Sequence, residues 1–445
     1  MSNAAYQFLS QDLPACLTAV FAVLACALLG NFLVLRRLSL MGDAISHSVL
    51  PGLVAGFLVV GSRGRLPMFL GAGAAGVVTV VLVEAVRKLG RLEAGAAMGA
   101  VFAVMFALGV LLIEQVGARG VDLDPDCVFN GQLENILWLF PREAPSPLTR
   151  AALEKLPPEL WTTGALAIVA ALFVSVFFKE LRITSFDPAL ATSLGISARA
   201  MHFALMLLVA AAVVASFEAV GSILVIAMLI CPPATARLLT DRLSTQVWLS
   251  AIIAVLVAVG GYTLAATAPV WLNAPRALSA AGMMTVLAGV FMAAAILGSP
   301  GHGVIARALR HRRLAADIAR EDLLALLYRL HELGRPAASG SLTGDPSRRR
   351  ALGGALAAGE VSEVGTALRL TDSGLARARS IIRAHRLWED YLVRQAGFRP
   401  DHVHERAEAL EHLTGTGLSD RLAEGSPGVT DPHGREIPRP PTLPG

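Results

Sequence analysis

Long apolar runs fill the first part of the chain and then stop. They fall near residues 13–35, 67–86, 95–116, 161–178, 200–217, 219–236, 246–267 and 277–297. A hydrocarbon layer of about 30 Å takes roughly 20 helical residues, so each run is long enough to cross a membrane. A shorter run, 48–61, is interrupted by Pro51, Gly52 and Gly56. Counting it gives about nine spans; leaving it out gives eight. Past about residue 300 the pattern changes, and no run could span. EDLLALLYRLHELG, 321–334, has apolar residues at helical spacing. ALRLTDSGLARARSIIRAHRLWEDYLVRQAG, 367–397, predicts a short strand, an N-cap at Thr371 and a long helix. DHVHERAEALEHL, 401–413, predicts another helix, and the Pro-rich end DPHGREIPRPPTLPG is expected to be extended. The pattern describes a membrane domain followed by a soluble domain of about a hundred residues, a common domain size.

Composition agrees. The 445 residues are 54% hydrophobic and 16% charged, against about 25% charged in soluble domains. The net charge of +4 is mild, so the balance alone says little about nucleic acid. Cys16, Cys26, Cys127 and Cys231 form no CxxC, which excludes a disulfide framework and a thiolate metal site. The first twelve residues carry no Lys or Arg, so they lack the charged region of a signal peptide, and the first run is expected to remain as a span.

Charge also orients the spans. Arg36 and Arg37 follow the first; Arg87, Lys88 and Arg91 the third; Lys179 and Arg182 the fifth; Arg237 and Arg242 the seventh; Arg307, Arg310, Arg312 and Arg313 the ninth. Basic residues mark cytoplasmic junctions. This alternation places the N-terminus outside and the C-terminus in the cytoplasm, although Arg63 and Arg65 fall on the outer side. An acidic segment, 121–134, then lies in an outer loop. Its Asp122, Asp124 and Asp126 could attract a cation, but a solvated loop is the favoured reading.

The candidate chemistry of the membrane part is Asp43 and His47, in LSLMGDAISHSVLPG. Residues four apart share one helical face, and a carboxylate with an imidazole makes half of a transition-metal site. Ionisable groups among apolar spans usually mark a substrate path. The plain alternative is a helix cap and a satisfied interfacial histidine.

MGDAISHSVLPG resembles the signature of the zinc/manganese/iron ABC permease family, the membrane subunits of bacterial metal importers. KELRITSFDPALATSLGIS, 179–197, AVGSILVIAMLICPPATARLLTDRL, 219–243, and SPGHGVIAR, 299–307, fit the same family in order, so the likeness covers roughly residues 10–308. It implies that Asp43 and His47 line the metal path. It also implies a multi-pass protein of the bacterial inner membrane, with an ABC ATPase subunit, an extracytoplasmic metal-binding protein and a second permease chain as partners. No G-x-x-x-x-G-K-[ST] is present, so ATP hydrolysis belongs to the separate subunit and this chain is not expected to be an enzyme. Phe186, Asp187, Pro188, Leu194 and Gly195 are the candidate docking element for that ATPase.

Seven of the ten histidines lie beyond residue 310. His385 and Glu389 are four apart. His404, Glu408, Glu411 and His412 fall on one helical stripe. Such a stripe of acids and imidazoles would compete for protons, and a divalent cation removes the conflict. Mixed ligands of this kind suit Mn(II), Fe(II) or Zn(II). LTDSG, HRLWEDYL, HVHERAEALEH and DPHGREIP also resemble, in order and spacing, the diphtheria-toxin-repressor family of iron- and manganese-dependent regulators, over about 318–438. The resemblance implies one metal cluster of His385, Glu389 and His404. It implies a regulatory cluster of Glu408, Glu411 and His412 with Asp322 of the first helix. His433, in the Pro-rich end, is expected to take no part. Glu408 stands where iron-type members carry a cysteine, and a hard oxygen there leans toward manganese. Manganese members place a second acid three residues after Asp322, where this chain has Ala325. The segment matching a recognition helix, 344–361, offers Arg348, Arg349 and Arg350 as candidate DNA contacts. Its glycines lower helix propensity and few side chains suit base edges, so DNA is not the favoured partner.

The fold expected is an all-α polytopic membrane domain, 1–308, and a linker, 309–320. A winged-helix-like domain, 321–384, and a helical metal-binding/dimerisation domain, 385–445, follow. The function expected is a permease subunit for divalent transition metals, manganese favoured over iron or zinc, with a fused metal sensor. The alternatives are a membrane-anchored metal-dependent transcription regulator and an ATPase-independent secondary transporter.

Overall fold

The computed structural model describes residues 6–61, 65–117, 133–139, 153–271, 278–338, 345–426 and 428–440. Asp122, Asp124 and Asp126 lie outside the described residues. The chain divides into two compact units, Met1–Ala306 and Arg307–Gly445.

Among the described residues the first unit holds nine helices long and apolar enough to cross a membrane. They lie in α1 (Leu13–Leu35, entered through a π-helical turn Phe8–Asp12), α2 (Met41–Val60), α3 (Arg65–Leu89), α4 (Ala94–Gly117), α5 (Pro158–Val176), α8 (Ala198–Val220), α9 (Ser222–Leu239), α10 (Leu243–Trp271) and α11 (Ala280–Gly298). Two short helices, α6 (Phe178–Phe186) and α7 (Pro188–Ser193), follow α5.

The second span starts at Met41 rather than 48, so it contains the Asp43/His47 motif. Pro51 sits inside it without ending it. A proline interior to a membrane helix is tolerated when neighbouring helices pack around it, and α2 packs on both α3 and α4.

α1 is the central helix, apolar all round and packed on α5, α8, α9 and α10. Its one strongly polar interior residue, Asn31, is fully buried. Asn31 Nδ2 donates to Ser250 Oγ at 2.6 Å, and Gln246 Nε2 donates to Asn31 Oδ1 at 3.0 Å, which pins α1 to α10. Against α9, α1 presents Gly30. A Cβ there would run into the main-chain oxygen of Leu229. In α9 the residue that would bond that oxygen is Pro233, which has no N–H. The carbonyl is turned instead onto the bare Cα of Gly30, so the two backbones meet. At the end of α1, Arg36 donates to Thr184 Oγ1 (2.9 Å) and Ser185 Oγ (3.0 Å) of α6.

The second unit begins on α12 (Val304–Glu332). Residues 309–320, expected to be a linker, are helical within it: the stretch is rich in Ala, Leu and Arg and carries no Gly or Pro before Gly334. Then come β1 (Ala337–Ala338), α13 (Pro346–Ala357), β2 (Val361–Val364), β3 (Ala367–Leu370) and α14 (Asp372–Arg394). The strands form an antiparallel sheet in the order β1-β3-β2. Leu323, Leu324, Leu327 and Tyr328 of α12 share a core with Leu352, Val361, Leu368 and Ile381. α13 forms despite Gly353 and Gly354, because Asp345 caps it, accepting from Ser347 N at 2.9 Å. Thr371 caps α14 as the sequence predicts, accepting from Gly374 N at 3.2 Å. The boundary drawn at 384/385 falls inside α14, one continuous helix. α15 (His404–Glu411) and α16 (Thr416–Gly425) pack against α14.

The Pro-rich end is not simply extended. Thr430 bridges Glu436, Asp431 N donates to Arg435 O (2.8 Å), and Ile437 is buried with Leu387 and Leu422. The apolar Ile437 gives this turn something to dock with, and that brings Asp431 and His433 onto α14.

Candidate transport path and metal centres

Asp43 falls in the first turn of α2 and His47 one turn later. At 1.5 Å rise per residue they lie about 3 and 9 Å along the helix from Met41, near one end of the span rather than its middle. A carboxylate in a first helical turn is favoured by the helix dipole. Asp43 Oδ1 is 3.3 Å from His47 Nε2, and the side chains are 36% and 23% exposed. The imidazole stands edge-on to Phe102 and Phe106 of α4, with ring centroids 4.7 and 5.4 Å away. The pair is thus held on one side by aromatics and left half open on the other, which suits brief ligation of a passing cation.

Of the docking candidates, Phe186 and Leu194 are exposed apolar side chains, as is the nearby Leu190. Asp187 shapes the turn by accepting from Ala189 N (3.0 Å) and Leu190 N (2.9 Å). Pro188 opens α7 where no N–H is needed, and Gly195 leaves it at φ +79, a conformation glycine reaches without strain.

In the second unit the expected residues assemble in two clusters. His385 Nε2, His404 Nδ1 and Glu389 Oε1 lie 2.9–3.1 Å from one another. Two imidazoles and a carboxylate this close together could share one divalent transition-metal ion. The other cluster is Asp322, Glu411 and His412, with His412 Nε2 3.0 Å from Asp322 Oδ1.

Charge runs through both. Burial pulls the His385 pKa down, but hydrogen bonds to Glu389 and Glu411 outweigh it and lift it to about 9. Burial pushes Glu389 up, yet the bonds from His385 and His404 bring it to about 2. Asp322 is raised, by burial first and then by the charge of Glu411, against the opposing pull of His412.

Glu408 does not join the second cluster; it is exposed, and its charge acts on Asp322 without contact. Ala325 is buried in the α12 core, where a second acid would be desolvated. Three residues were not anticipated. Glu321 Oε2 is 2.8 Å from His412 Nδ1, the carboxylate partner that commonly orients a metal-binding imidazole. Asp431 and His433 approach Glu389 from the other side. A contact between a helix and a distant turn leaves no periodic signal in sequence. Arg348, Arg349 and Arg350 are exposed on α13.

Comparison with known proteins follows the same division. Residues 6–133 and 153–298 match the model of the ABC 3 transport family. Residues 371–439 match that of the iron dependent repressor metal binding and dimerisation domain. The manganese transport system membrane protein MntD of Bacillus subtilis is 41% identical over 293 residues, covering 66% of this chain and 94% of that protein. The zinc transport system membrane protein TroD of Treponema pallidum is 38% identical, covering 71% and 80%. Among solved structures, PsaBC from Streptococcus pneumoniae in complex with Fab aligns with a TM-score of 0.52 at 26% identity, over 67% of this chain and 94% of that one. The chain belongs to the ABC 3 transport family, with a repressor-type metal-binding and dimerisation domain joined to its permease unit.

Proposed function

We propose that this chain is the membrane permease subunit of an ABC importer for divalent transition-metal ions, manganese first and iron or zinc next, with a metal-sensing unit attached in the cytoplasm. The observation that carries the reading is the Asp43–His47 pair on one face of a span, inside the segment that matches the permease family. The named relatives are manganese and zinc transport proteins. A carboxylate with an imidazole suits either ion. Two ligands from one chain hold a cation weakly, and weak holding is what passage requires. A second permease chain would supply the facing half of the path. An extracytoplasmic binding protein would deliver the ion, and a separate ATPase would dock on Phe186, Leu190 and Leu194. The C-terminal clusters would then report cytoplasmic metal. Those clusters need deprotonated ligands, so binding is coupled to pH. DNA is left out of this reading. Beside its arginines, α13 offers mostly Ala, Gly and Leu, which cannot read base edges.

The test is uptake of radioactive Mn(II) by cells expressing the chain with its ATPase and binding protein. Asp43→Ala and His47→Ala should each abolish uptake while the chain still inserts. Wild-type uptake in both variants would refute the reading.

A further inference from the structure

Arg36 closes α1 and ties it to two other helices. Its Nε donates to Ser185 Oγ at 3.0 Å and its Nη2 to Thr184 Oγ1 at 2.9 Å, both on α6, while Nη1 faces His202 Nδ1 of α8 at 3.4 Å. The two hydroxyls are committed as acceptors. Thr184 Oγ1 donates its own proton to Glu180 O (2.8 Å) and Ser185 Oγ to Leu181 O (2.6 Å), which leaves oxygen lone pairs for the guanidinium. Burial lowers the Arg36 pKa to about 10, so the group stays charged near neutral pH and these acceptors stand in for water.

Both sides of this clasp lead to functional candidates. On the α6 side, Phe186 of the docking element directly follows Ser185. On the α1 side the chain turns into α2 without slack. Arg37 takes a left-handed φ of 57°. Its N–H goes to Val34 O (3.1 Å) and that of Leu38 to Leu33 O (2.9 Å), the paired bonds of a Schellman turn. Leu38 is buried, and Met41 N donates to Leu38 O at 3.0 Å. Asp43 and His47 follow in the first turns of α2. A non-glycine residue persists in the left-handed region only where its surroundings fix it, so the turn passes a displacement of Arg36 on to α2 instead of absorbing it.

We infer that Arg36 is a positioning residue for transport, coupling movement of the ATPase-docking element to the Asp43–His47 pair through its bonds to Thr184 and Ser185 and the turn into α2. The inference rests on the reading of Phe186, Leu190 and Leu194 as the docking surface and of Asp43 and His47 as the path. A guanidinium suits the task because its planar fork holds several acceptors in fixed directions. Loss of that fork frees the path from the ATPase while the ion ligands and the docking surface stay as they are.

The test uses the full chain with its ATPase and binding protein in proteoliposomes, with Mn(II) uptake and ATP hydrolysis measured on the same preparation. Arg36→Gln should keep the ATPase bound and hydrolysing, while Mn(II) carried per ATP falls by about tenfold, an ordinary size for coupling between sites. Thr184→Val with Ser185→Ala removes the acceptors from the other side and should give the same loss. Joining that pair to Arg36→Gln should add nothing, because both changes break one interaction. Arg36→Lys keeps the charge but cannot hold all three partners; it should lower the ratio too, and it decides the matter if Arg36→Gln fails to insert. A merely structural role would lower uptake and hydrolysis together and leave their ratio at the wild-type value. That result, or losses that add in the combined variant, overturns the inference. If Phe186→Asp retains the ATPase, the docking reading falls and the coupling with it. If Phe186→Asp releases the ATPase while Arg36→Gln keeps the wild-type ratio, the coupling alone falls.

Discussion

Glu411 Oε2 lies 2.5 Å from His385 Nδ1, and both side chains are almost completely buried. The contact joins the two candidate metal clusters. Glu411 groups with Asp322 and His412, and His385 groups with Glu389 and His404. A metal-binding imidazole usually gives its other N–H to a carboxylate. An N–H at Nδ1 facing Glu411 would leave Nε2 free to coordinate an ion beside Glu389 and His404. An ion on one cluster would therefore change the basicity of a ligand in the other.

Removing Glu411 should be felt at both clusters. Glu411→Ala with His412→Ala is expected to abolish most of the Mn(II)-induced rise in Tm of the full chain. Loss of the carboxylate behind His385 should also weaken the remaining cluster by about 10- to 100-fold. Titration calorimetry checks this. An unchanged second affinity would show the clusters to be independent.

The carboxylate and ring geometry around His47 predicts a graded series in the transport path. His47→Gln keeps a donor atom near Asp43 and should retain a few per cent of Mn(II) uptake, whereas His47→Ala should retain none. Phe102→Ala removes an edge-on aromatic contact worth about 0.5–1.5 kcal/mol and should lower uptake several-fold without abolishing it. Equal rates in all three would mean that His47 does not touch the ion.

Charge placed on the exposed patch should separate the subunits. Phe186→Asp and Leu194→Asp are expected to stop the ATPase from co-purifying while leaving membrane insertion intact. Retention of the ATPase by both variants would move the docking surface elsewhere.

The basic junctions predict that a reporter fused after Gly445 behaves as cytoplasmic. Activity of a periplasm-specific reporter at the same position would overturn the orientation and with it the role of the second unit.

Stability should depend on pH in a defined direction when metal is chelated. The folded pKa of His385, about 9, is above its ordinary 6.5, so its contribution is full below about 6.5 and is lost as pH rises through 9. Glu389, at about 2 against 4.5, contributes fully above 4.5 and loses its contribution as pH falls through 2. The chelated chain should accordingly resist urea best between about pH 4.5 and 6.5. Excess Mn(II) should reverse the trend above pH 7, because metal selects the neutral imidazole. A flat urea midpoint from pH 6 to 9 would contradict the assignment.

Much of this was legible in the sequence because it is periodic. Asp43 and His47 share a face through the four-residue repeat, and so do His385 and Glu389. Thr371 announces its helix by type and place. The second span was read seven residues too short because Asp43, Ser46, His47 and Ser48 interrupt the apolar pattern, although the same helix carries them. Glu321 was hidden by adjacency, since neighbours on a helix normally diverge; His412 uses one ring nitrogen for each of Glu321 and Asp322. Asp431 and His433 reach Glu389 only because Ile437 anchors a turn that no repeat encodes.

The meeting of Gly30 with Leu229 has a genetic consequence. The atom that excludes a side chain at position 30 is a main-chain oxygen, which every residue at position 229 would carry. Shrinking Leu229 therefore gives no relief to Gly30→Ala. Compensating changes should arise instead at Pro233, where a restored N–H could draw the carbonyl back into its own helix. A suppressor screen started from Gly30→Ala would read out main-chain geometry through second-site changes that never touch the original lesion.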